Sequence, residues 1–325
     1  MSDRSDGRLA LVTGATGFVG GALCERLLID GWRVRAPARR SLITSRPDRT
    51  SWIPIADLAD WASDCDPDLE GVDTVFHLAA RVHQHGLRGD DEAYRRDNVD
   101  TTVALARAAA RCGVRRVVFV SSVKAMADTS SGRPLLPDDP PHPGDAYGRS
   151  KLAAEQGLTG ALGAGGPTDW CIIRPPLVYG IGVRANLAQL VRWIAAGRPL
   201  PLKAVRNRRS LIGRENLADL LARCAVAPEA AGRVVLPADG DWSTAQLIEL
   251  IADAIGRPPV AFWPVPVSLL RTLGRFSGQI DRVDSLTASL CVDDPWIRER
   301  LDWQAPVPAH EGLSVMARTL VARSR

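Results

Sequence analysis

The sequence predicts an α/β fold, a doubly wound parallel sheet with a smaller α/β substrate-binding lobe. Three observations predict it. Short apolar runs alternate with helix-periodic segments through the first 178 residues, the pattern of strands buried between two helix layers. A glycine-rich turn, Thr13-Gly14-Ala15-Thr16-Gly17-Phe18-Val19-Gly20, separates the first run from the first helix. Beyond residue 178 the rhythm loosens, as expected of a lobe built over the sheet's C-terminal edge, where open α/β sheets bind ligands.

The elements follow in order. Residues 9–12 (LALV) are a buried strand, and 18–30 carry Phe18, Leu23, Leu27 and Leu28 at helical spacing before Gly31 stops the helix. Residues 32–37 and 73–77 read as strands, 91–112 as an alanine-rich helix and 115–120 as another strand. Seven prolines and glycines in 128–145 make that segment a loop. A helix at 146–163 and a strand at 170–174 close the first part. Helices are expected near 185–197, 214–226, 243–256 and 267–277, with a strand at 233–237. The division is 1–178 for the dinucleotide domain and 179–325 for the substrate lobe, interleaved with it.

Composition narrows the class. The chain has 325 residues, 46% hydrophobic, with 41 basic and 37 acidic side chains. That balance argues against a nucleic-acid partner and allows a local basic patch for a phosphorylated ligand. The cysteines at 24, 65, 112, 171, 224 and 291 are scattered, so they read as buried thiols in a reducing cytoplasm, with no metal site. No apolar run approaches the ~18 residues of a membrane span, and the charged N-terminus is not a signal peptide. The basic amphipathic segment around Leu269, Leu270, Arg271, Leu273 and Arg275 is read as a lobe-packing helix rather than a membrane contact.

The chemistry starts at Tyr147 and Lys151. Four residues apart on a helix, they share a face. An ammonium beside a phenol favours the phenolate, so Lys151 is expected to lower the Tyr147 pKa and fit it for proton transfer. Ser121-Ser122 ends the 115–120 strand. The glycines at 14, 17 and 20 allow the backbone to approach a pyrophosphate at a helix N-terminus, with Thr16, Phe18 and Val19 beside it. The second strand ends Ala38-Arg39-Arg40 without the acid that meets an NAD ribose. Guanidinium suits a 2′-phosphate, so NADP(H) is preferred through Arg39, with NAD(H) possible. Asp57 and Leu58 are candidate adenine contacts, and Leu78, Ala79 and Ala80 are small enough for close backbone approach.

With TGATGFVG, ADL at 56–58, HLAA at 77–80, SS at 121–122, YGRSK at 147–151 and RPPLVYG at 174–180, the whole chain resembles the extended short-chain dehydrogenase/reductases, the NAD-dependent epimerase/dehydratase family. The resemblance implies a Rossmann-type sheet, with Ser122 and Tyr147 around the reacting oxygen. It also implies Lys151 on the nicotinamide ribose, Asn98 as a supporting polar residue and Pro175 near the cofactor. A narrower resemblance, through 121–124, 145–151 and 204–211, is to UDP-glucose 4-epimerase-like enzymes, some of which reduce a UDP-4-keto-6-deoxy-N-acetylhexosamine for surface polysaccharide. It implies substrate contacts at Lys124, Asn186, Arg209 and Arg282, the arginines on a UDP diphosphate. Met126-Ala127 and Ala38 depart from the epimerase pattern.

The expected activity is therefore a nicotinamide-dependent 4-ketoreductase acting on a UDP-sugar. A UDP-hexose 4-epimerase is the alternative, and an NADP-binding sensor is the alternative of another class. Small residues on the 91–112 and 146–163 helices, including Ala104, Ala108, Ala153 and Ala154, point to a homodimer.

Overall fold

The computed structural model describes residues 7–39, 50–82, 91–130, 132–163, 165–202, 204–257, 263, 265–276, 278 and 280–323, without the side chains of 185, 280–282 and 285. β1 (Leu9–Thr13) leads through the glycine turn into α1 (Phe18–Ile29), then β2 (Arg33–Arg39), β3 (Thr50–Ile55) and the short α2 (Leu58–Ala62). β4 (Thr74–His77) precedes one continuous helical run of α3 (Asp91–Tyr94), a π-helical stretch (Arg95–Asp100) and α4 (Thr101–Arg111). β5 (Arg116–Val120), α5 (Ala146–Leu162) and β6 (Asp169–Ile173) follow. The second half holds β7 (Leu177–Tyr179), α6 (Ala185–Ala195), β8 (Arg209–Gly213), α7 (Arg214–Val226), β9 (Arg233–Val235) and β10 (Gly240–Trp242). It ends with α8 (Thr244–Ala254), α9 (Val267–Phe276), α10 (Ile280–Thr287), α11 (Pro295–Glu299) and α12 (Ala309–Ala322).

Seven strands form one parallel sheet in the order β3-β2-β1-β4-β5-β6-β9. The direction of winding reverses between β1 and β4, and the crevice at that switch point is where such sheets take dinucleotides. Alternate residues of each strand feed opposite layers. Ala10, Val12, Phe76 and Ile173 pack under α1 and α7, whereas Leu11, Val75, Phe119 and Ile172 pack under α4 and α5.

Local chemistry sets the helices that matter. Asp145 caps α5 by accepting from the Gly148 N–H at 2.6 Å, and Gly163, at φ +70°, closes its C-terminus. Arg174, at the end of β6, holds Glu155 of α5 through contacts of 2.6, 3.0 and 3.2 Å. With the side chains 7% and 4% exposed, this is a buried ion pair fixing α5 to the sheet.

The second half does not stay in its own lobe. α7 packs in the same core as α1, and β9 is the seventh strand of the main sheet. What remains is a three-stranded sheet, β10-β8-β7, with α6, α8 and α12 around a separate apolar core. α9 packs on this lobe along one side only. Val267 and Leu270 join that core, but Leu269 and Leu273 are exposed and Phe276 is 88% exposed. No helix among the described residues is long and apolar enough to cross a membrane.

Candidate active site

A cavity of about 820 Å³ opens over the C-terminal ends of β1, β2, β4 and β5. Its floor is the glycine turn. Gly14 has φ +73°, and a Cβ there would lie 2.8 Å from the Ala79 nitrogen. A Cβ on Gly20 would lie 2.1 Å from the Gly14 carbonyl oxygen. Only glycine lets the turn, the loop after β4 and the start of α1 approach this closely. α1 begins at Phe18 without a side-chain cap on Gly17, so its first N–H groups and dipole favour an anion at the cavity. A cradle of this shape and size fits a dinucleotide.

The structure gathers most of the predicted residues here. Gly14, Thr16, Gly17, Phe18 and Val19 line one side. Arg39, Asp57 and Leu58 line the far end, and Leu78, Ala79, Ala80 and Pro175 the middle. Ser122, Tyr147 and Lys151 line the end opposite Arg39's strand tip. Ala38 is buried and Arg39 exposed, so β2 offers the cavity a guanidinium and no carboxylate. Asp57 also caps α2, accepting from the Ala59 and Asp60 N–H groups at 2.9 and 3.2 Å, and pairs with Arg96 at 2.8 Å.

The shared face of Tyr147 and Lys151 is present, but its electrostatics correct the sequence reading. Lys151 is 1% exposed; its Nζ donates to the Val120 carbonyl at 2.8 Å and lies 4.1 Å above the Phe119 ring. Burial lowers its pKa to about 7, against a smaller upward pull from Glu155. The Tyr147 phenol is raised to about 12 by burial, while the neighbouring Ser122 hydroxyl, within hydrogen-bonding reach, draws it down. Desolvation sets the direction, because taking a phenolate out of water is costly.

Five predicted residues are not in the cavity lining. Asn98 is buried behind the cavity wall in the π-helical stretch, a distortion frequent at functional sites. Lys124 does not line the cavity; its ammonium pairs with Asp128 and, at 3.3 Å, with Asp145, so it braces the loop against the α5 cap. Asn186 sits in the first turn of α6. Arg209 begins β8 and donates to the Ala288 carbonyl at 3.4 Å, with burial lowering its pKa. Neither lines the 820 Å³ cavity. Arg282 is in α10, and its side chain lies outside the described residues.

Sequence reasoning missed others. Ser121 lines the cavity, is 4% exposed and leaves its hydroxyl without a partner among the described residues. Arg214, not singled out in the sequence, lies over the ring of the predicted Phe18 at 5.6 Å. Val178 and Leu217 reach the cavity from the second half. Only the doubled serine had a local signal.

The profile of the NAD dependent epimerase/dehydratase family matches residues 10–236. The chain belongs to that family. Its fold is that of an enzyme of the family. Over 98% of its length, and 97% of the relative's, it is 36% identical to a UDP-glucose 4-epimerase of Vibrio cholerae. It is 29% identical to a UDP-glucose 4-epimerase of Mycolicibacterium smegmatis, covering 94% and 96% of the two chains. Among solved structures, MoeE5 in complex with UDP-glucuronic acid and NAD superposes with a TM-score of 0.75 at 27% identity, over 97% of this chain and 99% of that one.

Proposed function

We propose that the protein is a UDP-hexose 4-epimerase that uses a nicotinamide dinucleotide held in the cavity. The convergence of Ser122, Tyr147 and Lys151 beside the glycine cradle carries this reading. Full-length similarity to UDP-glucose 4-epimerases supports it. The glycine turn and α1 would hold the pyrophosphate, Asp57 and Leu58 the adenosine end, and Lys151 the nicotinamide ribose. When bound, the dinucleotide supplies hydride uptake from C4 and its return to the other face. Tyr147 takes the C4 hydroxyl proton as the ketone forms and gives it back as the alcohol reforms. Ser122 hydrogen-bonds the same oxygen, a fixed donor where charge develops. A cation close to Tyr147 would favour its phenolate and bring the pKa down from about 12.

Arg209 would meet the UDP diphosphate, with Asn186 and Arg282 in the same lobe. A partly desolvated guanidinium offers a bidentate fork to phosphate. α4 and α5 pack side by side, and their small residues would pair with a second copy across a two-fold axis, giving a homodimer that light scattering can test.

One observation favours a second reading, an NADPH-dependent 4-ketoreductase. The β2 tip presents Arg39 and lacks a carboxylate, which suits a 2′-phosphate. Acid release of the dinucleotide from the purified protein separates the two. Tightly held NAD⁺ supports the epimerase; an empty protein that binds NADPH over NADH supports the reductase.

A further inference from the structure

Behind the cavity runs a buried chain of hydrogen bonds whose polarity can be assigned throughout. Thr102 Oγ1 lies 2.5 Å from the Asn98 carbonyl oxygen. A carbonyl only accepts, so the single Thr102 hydroxyl proton is committed there. His77 Nε2, 3.0 Å from the same hydroxyl oxygen, must then be the donor. The other ring nitrogen, Nδ1, is left as an acceptor and takes the Thr13 hydroxyl proton at 2.7 Å. Thr13 Oγ1 in turn accepts from the Ala79 N–H at 3.3 Å.

The chain continues from Asn98. Its Oδ1 accepts from the Arg81 N–H at 2.7 Å, and its Nδ2 donates to the Arg81 carbonyl at 3.1 Å and to Ser150 Oγ at 2.9 Å. Ser150 donates to the Tyr147 carbonyl at 2.8 Å. The two ends of this chain are the glycine turn, where Ala79 touches Gly14, and the first turn of the helix that carries Tyr147 and Lys151. Each link is used once in one direction, so reversing any of them breaks its neighbours.

His77 is the only link that both accepts and donates through a rigid ring. It is 1% exposed and stacks on Phe119 with centroids 5.4 Å apart. Lys151 sits over that same Phe119 ring. Burial, with the Lys151 charge nearby, lowers the His77 pKa to about 3, so the imidazole is neutral at working pH.

We propose that His77 is a positioning residue, which with its proton on Nε2 fixes the dinucleotide-binding loops relative to the catalytic helix. This rests on the reading of the cavity as a dinucleotide site. The ring touches no reacting atom; it sets the distance between the parts that do. Misplacement of about 1 Å costs up to about 100-fold in rate.

Three variants test it. His77→Leu removes both contacts at similar volume. His77→Gln keeps an amide donor for Thr102. Thr102→Val cuts the chain beyond the ring with almost no change of shape and serves if the histidine variants fail to fold. His77→Leu and Thr102→Val are expected to lower kcat about 10- to 100-fold at nearly unchanged KM for the UDP-sugar. NADH binding, followed by fluorescence, should weaken about fivefold, the loss of one neutral hydrogen bond. His77→Gln should recover most of both. Turnover and NADH binding within twofold of wild type in His77→Leu and Thr102→Val overturn the proposal. So does a Gln variant no better than Leu, which would reduce the ring to packing. A ligand-free readout separates this from the functional reading. ¹⁵N NMR of histidine-labelled protein should show His77 protonated at Nε2 and bare at Nδ1; the opposite tautomer overturns the proposal whatever the cavity binds.

Discussion

Removing the charge of Glu155 should loosen the catalytic helix before it touches the chemistry. Arg174 and Glu155 are buried together, and three short contacts join β6 to the middle of α5. Breaking a buried pair by deleting one partner costs about 3–5 kcal/mol, chiefly because the remaining charge is stranded. Glu155→Gln keeps the shape and an acceptor oxygen for Arg174, so it falls near the lower end, about 3 kcal/mol. Glu155→Leu strands the guanidinium outright and falls near the upper end, about 5 kcal/mol. A domain stable by about 5–15 kcal/mol survives the first and is marginal with the second. Adding Arg174→Met to Glu155→Leu replaces the pair with apolar volume and should recover most of the loss. Urea unfolding of the four proteins, read by tryptophan fluorescence, measures this. A loss below about 1 kcal/mol in Glu155→Leu, or a double variant no better than the single, would refute the reasoning that the pair is desolvated.

Other outcomes follow from the same geometry. Tyr147→Phe keeps the ring and deletes the proton carrier, so kcat should fall about 10²–10⁴-fold with folding intact; a loss of only a few-fold removes Tyr147 from the proton step. Burial lowers Lys151 to about 7. Between about pH 7 and 10 the unfolded chain keeps a proton that the folded chain has released, so stability of the dinucleotide-free protein rises with pH. Lys151→Met should flatten that rise, and urea melts at the two ends of the window check it. Arg39→Ala should weaken NADPH more than NADH by about 1.5–3 kcal/mol, the value of a charge-assisted contact; equal losses in calorimetry would end its role at a 2′-phosphate.

What was legible in the sequence was local. The glycine turn, the Tyr-x-x-x-Lys face and the apolar strands β1, β4, β5 and β6 each carry their signal within a few residues. β3 has Pro54 as its last residue but one, and β7, β8 and β10 are three to five residues long, too short for an alternating pattern to stand out. The return of α7 and β9 to the main sheet is a tertiary fact with no local mark. Electrostatics were the least legible. The pairing of Lys124 with both Asp128 and Asp145 is made by the fold of the loop between them. Burial, which no neighbouring residue in the sequence reveals, decides the Tyr147 pKa. The Thr13–His77–Thr102–Asn98 chain joins residues up to 85 apart in sequence by contacts that only the fold creates.

The most direct test of the central claim uses no added nicotinamide. Purified protein is incubated in D₂O with UDP-glucose or UDP-N-acetylglucosamine, and the sugar C4 configuration is followed by proton NMR. Inversion at C4 with no deuterium entering that carbon is the expected result, because the hydride leaves and returns without meeting solvent. No inversion of either sugar, together with NADPH-dependent reduction of a UDP-4-keto sugar, or inversion with solvent deuterium at C4, would contradict it.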